Sequence, residues 1–337
     1  MGRKTYKKVI TSPELSKKIN PASLKLVERF LKTKKARCSD LTVKGYASDL
    51  NIFLTWNLLY NDNIPFTDIR KIQFAEFFNF TLTDLRWSSS RFSRVKSALS
   101  SFSDFIEKYF DTDFPSFRNV ILRAVDSVPK QAVREKTILS DEQVESVFNY
   151  IENELEDFQM ACWFALAIAS GSRFSELLRF TTENIDPTVL AFEDIFIESL
   201  PIQTKGRGKN GKMISKYIIK DIFLPRYEKW LPIRKEILNK NGKDHDFLFI
   251  KHNGNIALAS TARTWVQKIE DFLEVDVYSH CLRHFFTTYL AKAGLPVDLI
   301  QEIGGWKNTE MVILYSDVSA KDRKWKELEN LKNITKK

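Results

Sequence analysis

The chain has 337 residues, with 52 Lys and Arg against 43 Asp and Glu and a formal net charge of +9; that length suits two domains of ordinary size, and that balance suits a polyanionic partner. Three widely spaced cysteines, Cys38, Cys162 and Cys281, are too few and too scattered for a disulfide framework or a zinc site, which points to a reducing cytoplasm. No run approaches the roughly 18 apolar residues of a membrane span, and the basic stretch 1–8 lacks an apolar core, so neither embedding nor secretion is expected.

In chain order, residues 1–20 mix basic residues with Ser and Pro and read as a flexible basic arm. From 21 to 125 apolar residues recur at helical spacing. Leu24, Leu26, Val27, Phe30 and Leu31 give one stripe, Tyr46, Leu50, Phe53 and Leu54 a second, and Phe74, Phe77, Phe78 and Phe80 a third. A fourth places Val95, Leu99, Phe102, Phe105 and Ile106 inward and leaves Arg91, Arg94 and Lys96 facing elsewhere. Four or five packed helices follow from this pattern. The stretch 126–137 breaks the period, carries Pro129, and reads as an interdomain linker.

Beyond it, Ser140 followed by Gln143 has the form of a capping box, which predicts a helix running to about Asn153. Residues 158–169 are nearly all apolar and predict a buried helix. The small-residue turn Ser170-Gly171-Ser172 precedes Arg173, which opens a helix bearing Leu177 and Leu178. Two strands are predicted at 194–199 and 216–224, joined across a Gly-rich basic loop at 204–212. His280 starts a helical run ending at Gly294, and 321–331 again has helical character. The fold class is mainly α, with a small β-sheet in the C-terminal part.

The chemistry-bearing residues are Arg173, His280, Arg283, Trp306 and Tyr315. Two arginines, a histidine, an indole N–H and a phenol suit neither a metal site nor a serine-type hydrolase. They suit a phosphodiester attacked by tyrosine. Arginine presents a planar fork of donors matched to two phosphate oxygens and offsets the charge that builds in the transition state. His280 and Arg283 lie three apart on a helix and so project to one side. A phenol with a pKa near about 10 needs base help and nearby positive charge to become a nucleophile, which makes Tyr315 dependent on the rest of the set. Glu176, one turn beyond Arg173, is placed to buttress an arginine. A lysine on the basic loop can supply the proton that a departing 5′ oxygen requires.

The order and spacing of Arg173, a lysine in the 205–212 loop, His280-Cys281-Leu282-Arg283, Leu299-Ile300-Gln301-Glu302-Ile303-Gly304-Gly305-Trp306 and Tyr315, nine positions after Trp306, resemble the C-terminal signature of the tyrosine recombinase (phage-integrase) family. The stretches 42–50 and 90–94 have weaker counterparts in that family's core-binding domain. The resemblance implies a helical core-binding domain at 21–125, a DNA breaking-rejoining catalytic domain at 138–318, and a tail, 319–337, that docks on a neighbouring protomer. It implies Arg173, Lys205, His280, Arg283, Trp306 and Tyr315 as the catalytic set, with Trp306 standing where histidine is commoner. Lys209 and Lys212 remain alternatives to Lys205. Lys44, Arg91, Arg94 and Lys96, with Arg207, Lys209 and Lys212, are the expected DNA contacts. The implied partner is double-stranded DNA with a specific site, held by a homo-tetramer on two sites, with no cofactor, metal or ATP.

The role this suggests is integration and excision of a mobile element, with dimer resolution of the Xer type as the alternative. A type IB topoisomerase shares nearly the same residues. A non-catalytic helical DNA-binding protein would need the charge but not Tyr315. A hydrolytic nuclease would need clustered carboxylates for Mg²⁺, whereas Asp and Glu are scattered here.

Overall fold

The computed structural model describes residues 9–129, 137–204 and 211–306. They divide into two units, 9–129 and 137–306, each closed around its own apolar core.

The first unit consists of α1 (Pro13–Ser16), α2 (Pro21–Lys35), α3 (Asp40–Tyr60), α4 (Lys71–Thr83), α5 (Ser89–Tyr109) and α6 (Ile121–Ala124). Each long helix begins where a side chain or proline satisfies its first turn. Asn20 accepts from the N–H groups of Ala22 and Ser23 ahead of Pro21, Ser39 caps Thr42, and Ser88 caps Arg91. The core is phenylalanine-rich. Phe53 meets Phe77 edge-on at 4.9 Å and Phe66 lies 4.6 Å from Phe102, geometries that follow from the ring quadrupole. Leu24, expected inward, faces out, while Leu26 and Phe30 are buried: the inward face of α2 is narrower than its apolar content. The arm is also shorter than expected. Ser12 caps α1, Ser16 donates to Asn51 at 3.1 Å, and Ile19 is fully buried, so residues 13–20 belong to the packed unit.

The second unit runs α7 (Asp141–Asn149), α8 (Phe158–Ser170), α9 (Phe174–Leu177), β1 (Leu190–Ala191), β2 (Phe196–Glu198), β3 (Ile202–Thr204), β4 (Lys212–Ile214), β5 (Tyr217–Ile219), α10 (Lys220–Lys240), α11 (Ala259–Leu273), α12 (Ser279–Lys292) and α13 (Val297–Gly304). The Ser140–Gln143 capping box is present, with Gln143 N–H to Ser140 Oγ at 3.2 Å and Ser140 N–H to Gln143 Oε1 at 3.0 Å. A π-helical turn, Tyr150–Glu154, follows α7. Helix α8 is apolar on every side and lies at the centre, packed by α10, α12 and β5. Asp157 caps its start, and Gly171, at φ +54°, ends it.

The strands form an antiparallel sheet ordered β1–β2–β5 and a separate hairpin of β3 and β4. Phe196 pairs with Ile219 and Ile197 with Ile218; Thr204 pairs with Lys212. The expected second strand, 216–224, ends at Ile219, and from Lys220 the chain is helical. Phe223, Tyr227, Trp230, Arg234 and Leu238 form the buried stripe of α10, a helical period that outweighs the β propensity of the preceding Tyr and Ile. No described helix is long and apolar enough to cross a membrane.

Candidate active site

The site is built on the turn between α8 and α9. Ser170 Oγ donates to the Leu166 carbonyl at 2.6 Å and accepts from the Ser172 N–H at 3.3 Å, which fixes the turn. Gly171 is required there twice over: its φ is +54°, and a Cβ would collide with the Phe286 ring. Arg173 emerges from this turn with its backbone N–H on Glu176 Oε2 at 2.9 Å and its guanidinium on Oε1 at 2.8 Å. Glu176 is completely buried, and Arg173 keeps about a third of its side chain exposed.

Arg283 arrives from α12 and donates to the Gly171 carbonyl at 2.9 Å. It is only 5% exposed, and its guanidinium lies 4.3 Å from the centre of the Trp306 ring, a cation–π contact. Trp306 follows α13 through Gly305, whose φ of +62° gives the reversal, while a Cβ on Gly304 would run into the indole itself. The Trp306 Nε1 is buried and has no hydrogen-bond partner among the described residues. A buried donor left this way costs about 1–3 kcal/mol unless a ligand accepts from it. His280 lies at the exposed start of α12, 6.3 Å ring to ring from the buried His284, which in turn meets Tyr278 edge-on at 6.1 Å. Next to His280, burial pushes the Cys281 thiol up to about 12, so it stays protonated.

One member of the cluster was not singled out from the sequence. Lys216, immediately before β5, is 1% exposed, and its Nζ lies 3.8 Å from Glu176 Oε2. Its backbone is fixed by reciprocal bonds to Ser199, N–H to Ser199 Oγ and carbonyl from Ser199 N–H, both 2.9 Å. Burial pulls the Lys216 ammonium down to about 8 against the support of Glu176, with Arg283 and Arg173 adding repulsion. Burial acts on Glu176 in the opposite sense and raises it, but Lys216 and Arg173 together hold it below the usual carboxylate range. A partial signal for Lys216 lay in the sequence: it stands two residues before the apolar Ile218, which puts both on one face of an extended segment.

The base of the β3–β4 hairpin is anchored by Arg179, which donates to the Gln203 carbonyl at 2.6 Å, and by Thr204 Oγ1 on the Lys212 carbonyl at 3.0 Å. Lys212 is exposed. Lys205, Arg207 and Lys209 in the loop, Tyr315, the linker residues 130–136 and the tail 319–337 lie outside the described residues.

In the first unit Lys44 is exposed and Arg91 lies 4.5 Å over the Trp87 ring. Arg94 and Lys96, expected to face DNA, have partners inside the unit. Arg94 grips Asp49 with two bonds of 2.7 and 3.0 Å, and Lys96 donates to the Val125 carbonyl at 2.5 Å. Among the described residues no group of three or more His, Cys, Asp or Glu is arranged to hold a metal ion.

The second unit is thus helical with small antiparallel sheets, and it gathers Arg173, Glu176, Lys216, Arg283 and Trp306 in one cluster, buried except for part of Arg173. The chain belongs to the phage integrase family, whose model matches residues 137–322. It is a tyrosine recombinase, of the class of enzymes that recombine DNA. Among its relatives, the tyrosine recombinase XerC of Oceanobacillus iheyensis is 26% identical over 83% of this chain and 87% of that protein. The SPbeta prophage-derived recombinase-like protein YomM of Bacillus subtilis is 26% identical over 82% of this chain and 78% of its own length. The fold is shared with the XerH recombinase bound to palindromic difH substrate in a post-cleavage complex (TM-score 0.63, 17% identity, 94% of this chain and 85% of that one). It is also shared with the Tn1549 transposon integrase in complex with transposon right end DNA (TM-score 0.63, 18% identity, 88% and 98%).

Proposed function

We propose that this recombinase cuts and rejoins double-stranded DNA at a specific site through a 3′-phosphotyrosyl intermediate on Tyr315. The observation that carries the reading is the convergence of Arg173, Arg283 and Trp306, from three separate stretches of chain, on one cluster whose buried indole N–H has no partner among the described residues. Arg173 and Arg283 take the non-bridging oxygens of the scissile phosphate, and Trp306 Nε1 donates to one of them. The Tyr315 phenol gives its proton to a base, with His280 assisting, and its oxygen bonds to phosphorus. The bond from phosphorus to the 5′ oxygen breaks, and Lys205 protonates that oxygen as it leaves, with Lys209 or Lys212 as substitutes. A 5′ hydroxyl of a partner duplex then attacks the phosphotyrosine and releases the enzyme. The phosphodiester count is unchanged, so no ATP is required, and the positive charge a metal would otherwise supply comes from Arg173 and Arg283.

Residues 21–125 serve as the DNA clamp, with Lys44 and Arg91 on phosphates, and 138–318 as the catalytic domain. Four protomers act on two sites, each tail 319–337 docking on a neighbour. The biological role is integration and excision of a mobile element, supported by likeness to a prophage-derived relative and a transposon integrase. Dimer resolution is the second reading, supported by the XerC relative.

The test is covalent trapping. Full-length protein is incubated with nicked duplexes drawn from DNA flanking its gene and resolved on denaturing gels. A slow-migrating adduct with wild type and none with Tyr315→Phe supports the chemistry, and sequencing the trapped DNA distinguishes element ends from a chromosomal resolution site. No adduct despite salt-sensitive binding contradicts it.

A further inference from the structure

We propose that Lys216 is a positioning residue of the phosphate pocket, locking Glu176 so that Arg173 keeps its aim and supplying part of the positive charge that the scissile phosphate completes. The inference rests on the reading of this cluster as a phosphate site and adds to it a residue outside the set of arginines, histidine, tryptophan and hairpin lysine.

Lysine is among the side chains least often fully buried, because removing an ammonium from water is costly unless it is paired. Lys216 is nonetheless 1% exposed. Glu176 is its counter-ion at 3.8 Å, yet both Glu176 oxygens already accept from Arg173. Lys216 is therefore a second cation on a carboxylate already engaged, which holds that carboxylate ionised and in place. Its ammonium also reaches the other side of the pocket: a Cβ placed on Gly305 would lie 3.7 Å from Lys216 Nζ. One side chain thus touches the anchor of Arg173 and the turn that delivers Trp306.

The charge count gives the second part. Facing Lys216 are Glu176 and Arg173 at α9 and Arg283 from α12. Among the described residues three cations face one carboxylate, and two of the cations, Lys216 and Arg283, are at most 5% exposed. Like charges in a poorly solvated site repel strongly. A phosphodiester relieves that repulsion most where its negative charge builds in the transition state, so the cluster acts on the rate of cleavage rather than on DNA affinity. Lys216 is 1% exposed with its Nζ 3.8 Å from Glu176, so the part assigned to it is positioning, and proton transfer stays with the hairpin lysine.

The experiment uses full-length wild type, Lys216→Met, Lys216→Arg, Glu176→Gln and the double variant, each checked for folding by its Tm. Single-turnover adduct formation on nicked duplex is measured at saturating DNA. Lys216→Met should slow it about 100-fold with DNA affinity within about three-fold, and Lys216→Arg should recover at least about ten-fold of the loss. In the Glu176→Gln background, Lys216→Met should cost about ten-fold or less, because the lock is gone and only the charge it supplies remains. A Lys216→Met rate within about three-fold of wild type, or an undiminished effect in the Glu176→Gln background, overturns the proposal. Should wild type itself form no adduct, the functional reading fails, and Lys216 is judged on ¹⁵N-lysine NMR. Its Nζ should titrate near pH 8 and lower still in Glu176→Gln. An ordinary value above about 10, or one indifferent to Glu176→Gln, contradicts the lock.

Discussion

Each unit of this protein holds an arginine on a buried carboxylate, and the two pairs differ in where their excess charge goes. Around Asp49 the cations reach water: Arg94 is 61% exposed while it grips a carboxylate that is 3% exposed, and Arg91 lies half-buried on Trp87. Around Glu176 the additional cations, Lys216 and Arg283, are sealed in protein. Solvent screens the first cluster and leaves a structural clasp between α3 and α5. The second is poorly screened and, among the described residues, carries more positive than negative charge, the condition that the proposed phosphate pocket requires. Similar side chains therefore form a solvent-screened clasp in one unit and a sealed, cation-rich cluster in the other.

The comparison is broken most severely at Arg283. Arg283→Ala removes both the bond to Gly171 and the cation over Trp306, and adduct formation should fall by about 10³-fold while DNA affinity stays within about three-fold. Equal losses in rate and affinity would make Arg283 a binding residue only. The matched carboxylate changes sharpen the contrast. Glu176→Gln should lower the cleavage rate on saturating DNA by about 10–100-fold. Asp49→Asn should leave that rate unchanged and cost about 1–2 kcal/mol in the unfolding of its own unit, read by calorimetry.

Smaller effects follow from pH. The folded pKa of Lys216 is depressed, to about 8 against 10.5, so in that window the unfolded chain binds more protons than the folded one. Ionised Lys216 therefore penalises the native state fully below about pH 8, and the penalty is relieved as pH rises toward 10.5. Wild-type Tm should gain on that of Lys216→Met across this range. Glu176 behaves oppositely: its folded pKa lies below its ordinary value of 4.5, so its contribution is present above that pH and lost as pH falls through the folded pKa. A Glu176→Gln profile lacking that acid limb tests the sign. The mildest change is Lys44→Ala, which should weaken DNA binding uniformly across sequences and reduce the magnitude of the salt slope by about 1.

Local signals in the sequence read well where they were self-contained. The Ser140–Gln143 box, the apolar run of α8 and the phenylalanine stripes of the first unit needed only nearest neighbours to interpret. Helix α10 was hidden because Pro225 and Pro232 lie inside it and interrupt the stripe of Phe223, Tyr227 and Trp230. The hairpin β3–β4 was hidden because Lys212, Met213 and Ile214 are mostly exposed and lack an apolar face. The candidate site could be listed from the sequence through family resemblance, but the arrangement of Arg173, Arg283 and Trp306 could not. That Arg283 bonds the Gly171 carbonyl, 112 residues away in sequence, is a tertiary fact that no spacing announces. That Arg94 also holds Asp49 and Lys96 the Val125 carbonyl was not visible in the sequence, because a basic residue on an outward face looks the same whatever its partner.

The central claim is that Tyr315 becomes covalently joined to DNA. The most direct measurement is mass spectrometry of the trapped adduct after nuclease and protease digestion, which locates the nucleotide remnant on a single peptide. The account predicts that remnant on Tyr315, linked through a 3′ phosphate, with a free 5′ hydroxyl on the released strand. A remnant on another tyrosine or on a serine, or cleavage that leaves no covalent protein, would contradict it.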